Sequence, residues 1–106
     1  MSSTFPEIYL IRHGETEWSA SGKHTGRTDI PLTAKGEQAA RGLADRLKGL
    51  TFQAVWSSPS QRAFNTCTLA GSGAAAIKKL DLQEWDYGAY EGVTTKEIVA
   101  GRPGWN

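Results

Sequence analysis

Arg12, His13 and Gly14 follow directly on the apolar run at 8–11, Arg62 lies in "SPSQRAF", and Glu84 lies in "LQEWDYG". These are residue types that handle phosphate. Guanidinium forks match two phosphate oxygens at once. A neutral imidazole nitrogen can attack phosphorus and carry it as a phosphohistidine until water opens the bond. That chemistry needs the other ring nitrogen tied by a hydrogen bond, so that the attacking lone pair faces outward. A sharp turn at Gly14 would bring a backbone carbonyl to that nitrogen. A carboxyl group at Glu84 can protonate the leaving oxygen and then activate water. Asp86 and Glu91 are close by and compete for the same role.

The elements that would position these groups follow from local pattern. "IYLI" (8–11) is a short continuous apolar run, the mark of a parallel strand covered on both faces. Residues 19–31 hold Gly22, Gly26 and Pro31 and read as a long loop. Thr33 is the expected N-cap of a helix whose apolar stripe is Ala40, Leu43, Ala44 and Leu47, with Gly49 as its stop. "AVWS" (54–57) is a second strand. Ser58 as N-cap and Pro59 as first helical residue open a second helix, with a stripe of Ala63, Cys67 and Ala70 ending at Gly71. "AAIKKL" (75–80) is a weaker third strand, and Thr94 three residues before Glu97 predicts a capping box. Alternating strands and helices imply a parallel α/β sheet, whose ligands sit beyond the carboxyl ends of the strands. Arg12 and His13 follow strand one, Ser57 and Ser58 follow strand two with Arg62 beyond them, and Glu84 follows strand three. One crevice with an anionic, phosphorylated ligand is the expectation. Ser57 and Ser58 read as turn and cap, with no partners for a serine triad.

Bulk properties exclude other classes. The chain has 106 residues, 39% hydrophobic and 22% charged, with a net charge of +1. That suits one domain, 1–106, and offers no electrostatic reason for nucleic acid or a membrane surface as partner. "MSSTFPE" has no basic or apolar signal region, and no run approaches the roughly 20 residues that span a bilayer. Cys67 is the sole cysteine; it reads as a core residue in a reducing, cytoplasmic setting. His13, His24 and Cys67 lack a zinc-ligand spacing, so no metal or other cofactor is expected.

Four blocks, in order, give the sequence a family resemblance: "LIRHGETEW", "TGRTDIPLTAKGEQA", "WSSPSQRAFNTC" and "LQEWDYGAYEGVTTKEI". They resemble the histidine phosphatase superfamily, the phosphoglycerate-mutase-like proteins. They look most like its bacterial acid-phosphatase and sedoheptulose-bisphosphatase-like branch. The resemblance implies a three-layer, Rossmann-like parallel-sheet fold of which this chain is the N-terminal portion. It implies that His13 is the phosphorylated nucleophile, that Arg12 and Arg62 clamp the phosphoryl group, and that Glu84 is the proton donor. Thr25 and Gly26 would line the substrate side. Ser19 stands where the mutases often carry asparagine, and would bond phosphate through its hydroxyl.

Members of this family also carry a second pocket histidine in a later "HG" block, which has no counterpart in these 106 residues. His24, in the loop, is not promoted to that role. Losing one such electrostatic donor costs ~10²–10³ in rate, so these residues alone are expected to be a poor catalyst. The end at "GRPGWN", with Trp105 next to last, reads as a chain that stops early. Three readings follow: a cofactor-independent phosphomonoesterase acting on a phosphorylated small molecule, a phosphoglycerate mutase that retains the phosphoryl group, and a truncated, non-catalytic phosphate binder. A second copy of the chain could cover the exposed sheet of a genuinely short protein, making a homo-oligomer.

Overall fold

Thr33 accepts the Gly36 N–H through its side chain at 3.0 Å, and a helix starts at the next residue. This helix, α2 (Ala34–Leu47), follows a single turn, α1 (Glu17–Ala20). The computed structural model describes residues 7–101. After α2 come β1 (Val55–Ser57), α3 (Gln61–Leu69), β2 (Ala76–Lys78) and α4 (Thr95–Gly101), with 3₁₀ turns at Gly73–Ala75, Leu80–Leu82 and Gly88–Tyr90. In α2 the expected stripe faces inward: Ala40 is buried, and Leu43, Ala44 and Leu47 are half-buried. Gly49, at φ +84°, takes the left-handed conformation that lets the chain leave the helix. The capping box predicted at α4 is present, with the Thr94 hydroxyl accepting the Glu97 N–H at 3.1 Å and Glu97 Oε1 accepting the Thr94 N–H at 3.4 Å.

β1 and β2 pair in parallel, with Val55 opposite Ala76, Trp56 opposite Ile77 and Ser57 opposite Lys78. The Lys79 N–H continues the ladder to the Ser57 carbonyl at 2.8 Å. α3 forms the crossover between the two strands and packs against both β1 and α2. On its strand side Lys78 sets its ammonium 4.6 Å over the Phe64 ring. The sequence expectation of three strands is corrected to two among the described residues. The run 8–11 pairs with no strand among them, with Ile8 79% and Leu10 91% exposed. A parallel strand of this type needs cover on both faces. Here Tyr9 meets Phe52 edge-on at 5.3 Å, and Leu43 and Leu47 of α2 line one side of a groove along the run. Nothing among the described residues covers Ile8 and Leu10.

The second helix starts later than expected. Ser60 is the N-cap residue, and its side chain makes no cap bond. Instead the Gln61 N–H donates to Asp29 Oδ1 at 2.7 Å, so the loop at 19–31 supplies the cap. Of the predicted stripe, Ala70 is buried while Ala63 and Cys67 are half-buried. The buried face also carries Arg62 and Thr66. Burial pushes the Cys67 thiol up from its ordinary pKa. Trp105 lies outside the described residues.

Candidate active site

His13 stands on the turn between the apolar run and α1. Its Nδ1 lies 2.7 Å from the Gly14 carbonyl oxygen. A carbonyl only accepts, so Nδ1 carries a proton, and in the neutral ring Nε2 is then the nitrogen with the lone pair. The turn is locked from two sides. On the α2 side, Thr33 donates its N–H to the Glu15 carbonyl at 2.9 Å and its hydroxyl to Glu15 Oε1 at 3.0 Å. There the Gly14 and Gly36 backbones lie so close that a Cβ on Gly14 would sit 2.5 Å from the Gly36 carbonyl oxygen. On the α3 side, the Gly14 N–H donates to the Thr66 hydroxyl at 3.1 Å.

Arg62 is only 3% exposed. Its two terminal nitrogens donate to the carbonyls of Thr28 at 2.9 Å and Gly26 at 2.7 Å. Both partners are neutral, and among the described residues no carboxylate comes within ion-pair distance of it. A buried cation without a counter-charge favours an anion beside it. The same loop is gripped from its other edge by Glu91, whose carboxylate accepts the N–H groups of Arg27 at 3.1 Å and Thr28 at 2.6 Å, and the Thr28 hydroxyl. Burial pushes the Glu91 carboxyl up, but the bonds from Thr28 and Arg27 outweigh it and hold the pKa down to about 2. With its carboxylate accepting from both Arg27 and Thr28, Glu91 acts on the loop as a clamp.

Arg62 and Glu84 line one cleft of about 150 Å³, with Gly26, Arg27, Asp29 and the turn at 58–60. Glu84 is exposed, with Oε1 accepting the Trp85 N–H at 3.0 Å. Gly26 is buried against the Trp85 carbonyl, where a Cβ has no room. Thr25 is half-buried and its hydroxyl lies 3.4 Å from the Lys23 carbonyl.

Two residues lie apart from the Arg62 cleft. Arg12 is exposed and lines the other groove, with Leu43, Arg46 and Leu47. The Ser19 hydroxyl donates to the Thr16 carbonyl at 3.0 Å and accepts the Thr16 N–H at 2.8 Å, closing the capping box of α1. Its one proton is therefore committed. His24 donates Nδ1–H to the Val93 carbonyl at 2.7 Å and meets Tyr87 edge-on, joining the loop to the segment before α4.

Sequence reading missed Thr66 and Asp29. Thr66 could have been found as a second polar residue four positions after Arg62, on the same face of the helix. Asp29 had no local signal, because its partner is 32 residues away. Among the described residues no group of three or more His, Cys, Asp or Glu could hold a metal ion, and no helix is long and apolar enough to cross a membrane.

The sequence profile of the histidine phosphatase superfamily (branch 1) matches residues 8–106. An acid phosphatase of Mycobacterium tuberculosis is 45% identical over 101 residues, covering 92% of this chain and 49% of that protein. A sedoheptulose 1,7-bisphosphatase of Saccharomyces cerevisiae is 39% identical, covering 93% of this chain and 42% of that protein. The solved structure of an open reading frame of Mycobacterium tuberculosis superposes with a TM-score of 0.76 at 42% identity, covering 89% of this chain and 49% of that one. The chain spans about half the length of the curated relatives it matches.

Proposed function

This chain belongs to the histidine phosphatase superfamily, and from that premise we propose that the complete protein hydrolyses phosphomonoesters through a phosphohistidine on His13. The observation that carries the proposal is the Nδ1–H bond to the Gly14 carbonyl, which leaves Nε2 of the neutral ring as a bare lone pair, on a turn whose Gly14 N–H is bonded to the helix bearing the buried Arg62. In the first step Nε2 bonds to phosphorus and the ester oxygen leaves, taking a proton from the Glu84 carboxyl. In the second, water attacks phosphorus, gives its proton to the Glu84 carboxylate, and the P–N bond breaks to release inorganic phosphate. Arg62 stabilises the charge gathering on the phosphoryl oxygens, and Arg12, adjacent to His13 in the chain, is the second guanidinium if its side chain swings from the groove beside α2 toward the bound phosphate. Thr25 and Gly26 border the substrate, and a phosphorylated small molecule in a cytoplasmic setting completes the proposal.

The test is a quench of the full-length protein during turnover of phenyl phosphate. An acid-labile, base-stable phosphate on His13, absent from His13→Ala along with turnover, is expected. Undiminished hydrolysis by His13→Ala would end the proposal.

A further inference from the structure

Thr66 sits one helical turn beyond Arg62 and is 3% exposed. Its hydroxyl donates to the Arg62 carbonyl at 2.7 Å, a local return bond common to helical threonines. It also accepts the Gly14 N–H at 3.1 Å, across 52 residues of sequence. That N–H and the carbonyl receiving the His13 Nδ1–H belong to the same residue, Gly14. The close backbone of Gly36 bars Gly14 from moving the other way. Without the Thr66 oxygen, a part-buried N–H would be left unpaired, and the 13–14 peptide would turn to find another acceptor, changing the Gly14 dihedrals that set the direction of its carbonyl in the next peptide.

We propose that Thr66 is a positioning residue for His13: by holding the Gly14 amide it keeps the Gly14 carbonyl on Nδ1, and so fixes the tautomer with a bare Nε2. It also makes the His13 turn and the Arg62 helix one unit. The importance of this rests on His13 being the nucleophile, but the measurement does not depend on turnover.

These 106 residues contain two imidazoles, His13 and His24, whose signals in ¹⁵N-histidine-labelled protein are assigned by the single variants His13→Gln and His24→Gln. His24 holds its own Nδ1–H on Val93 and serves as the internal standard. Above the titration range, both rings should show the Nδ1–H tautomer in the wild type. Thr66→Val should lower the ratio of Nδ1–H to Nε2–H at His13 by about fivefold, the worth of one ordinary hydrogen bond, with His24 unmoved. Thr66→Ser should restore it. In full-length enzyme that turns over, Thr66→Val lowers kcat with little change in KM. An Nε2–H tautomer at His13 in the wild type overturns the proposal, as does a Thr66→Val ring identical to the wild type. If Thr66→Val unfolds the chain, moving His24 as well, the Gly14 amide of the wild type decides: protection from exchange supports the bond, and exchange at the free-peptide rate overturns it. Failure of His13→Ala to abolish hydrolysis is a separate result, which refutes the nucleophile and leaves the tautomer measurement standing.

Discussion

Replacing Gly36 by alanine and Gly42 by alanine makes the same change in the same helix, and the structure assigns the two opposite signs. A Cβ on Gly36 would press into the Glu15 carbonyl and lie 2.7 Å from the Glu15 nitrogen, whereas one on Gly42 would meet nothing within 4 Å. Alanine is favoured over glycine in a helix by up to ~1 kcal/mol. At Gly42 that gain stands alone, so Gly42→Ala should stabilise by about 0.5–1 kcal/mol. At Gly36 the blocking atoms are backbone, so relief requires moving the start of α2 away from the His13 turn. Overpacking of this kind costs ~1–3 kcal/mol. With three backbone atoms of Glu15 inside or at 3.0 Å, the upper end applies, and the net loss is about 2 kcal/mol after the helical gain. At a urea slope of roughly 1–2 kcal/mol per molar, the midpoint should fall by about 1–2 M for Gly36→Ala and rise slightly for Gly42→Ala. A Gly36→Ala midpoint at or above the wild type would refute the claim that helix-to-turn contact sets the position of His13.

The remaining predictions concern the loop at 26–29. Glu91 is held to about 2 against an ordinary 4.5, so its contribution is full above the ordinary value and is lost as pH falls through about 2. Urea midpoints of the wild type should therefore decline between about pH 4.5 and 2, with a flatter profile across that window in Glu91→Gln; parallel profiles would contradict the clamp. Asp29 caps α3 in place of Ser60. Asp29→Ala should cost ~1 kcal/mol in urea unfolding and Ser60→Ala close to nothing, and the reverse order would return the cap to the local residue.

Much of the fold is legible because helix signals are short-range. Thr33 with Gly36 and Thr94 with Glu97 are partners three positions apart, so their caps are visible in the order of residues. Glycine inside a helix, as at Gly36, carries a cost that points to a close neighbour but does not identify Gly14 as that neighbour. The strand at 8–11 misled for a related reason. An apolar run specifies that its faces want cover, and cover is a property of what packs there.

At the site, the residue order determined which chemistry was available: an imidazole beside a glycine turn, a guanidinium near a helix start, carboxylates after the apolar run at 75–80, and four ordered blocks that marked the family. Only the tertiary structure decided how each group spends its hydrogen bonds. Ser19 closes a cap, Glu91 grips a loop, Arg12 turns to another groove, and Thr66 reaches back across 52 residues to the Gly14 amide. A side chain's type sets what it can donate or accept, but its partner is fixed by distant backbone, which no local pattern records.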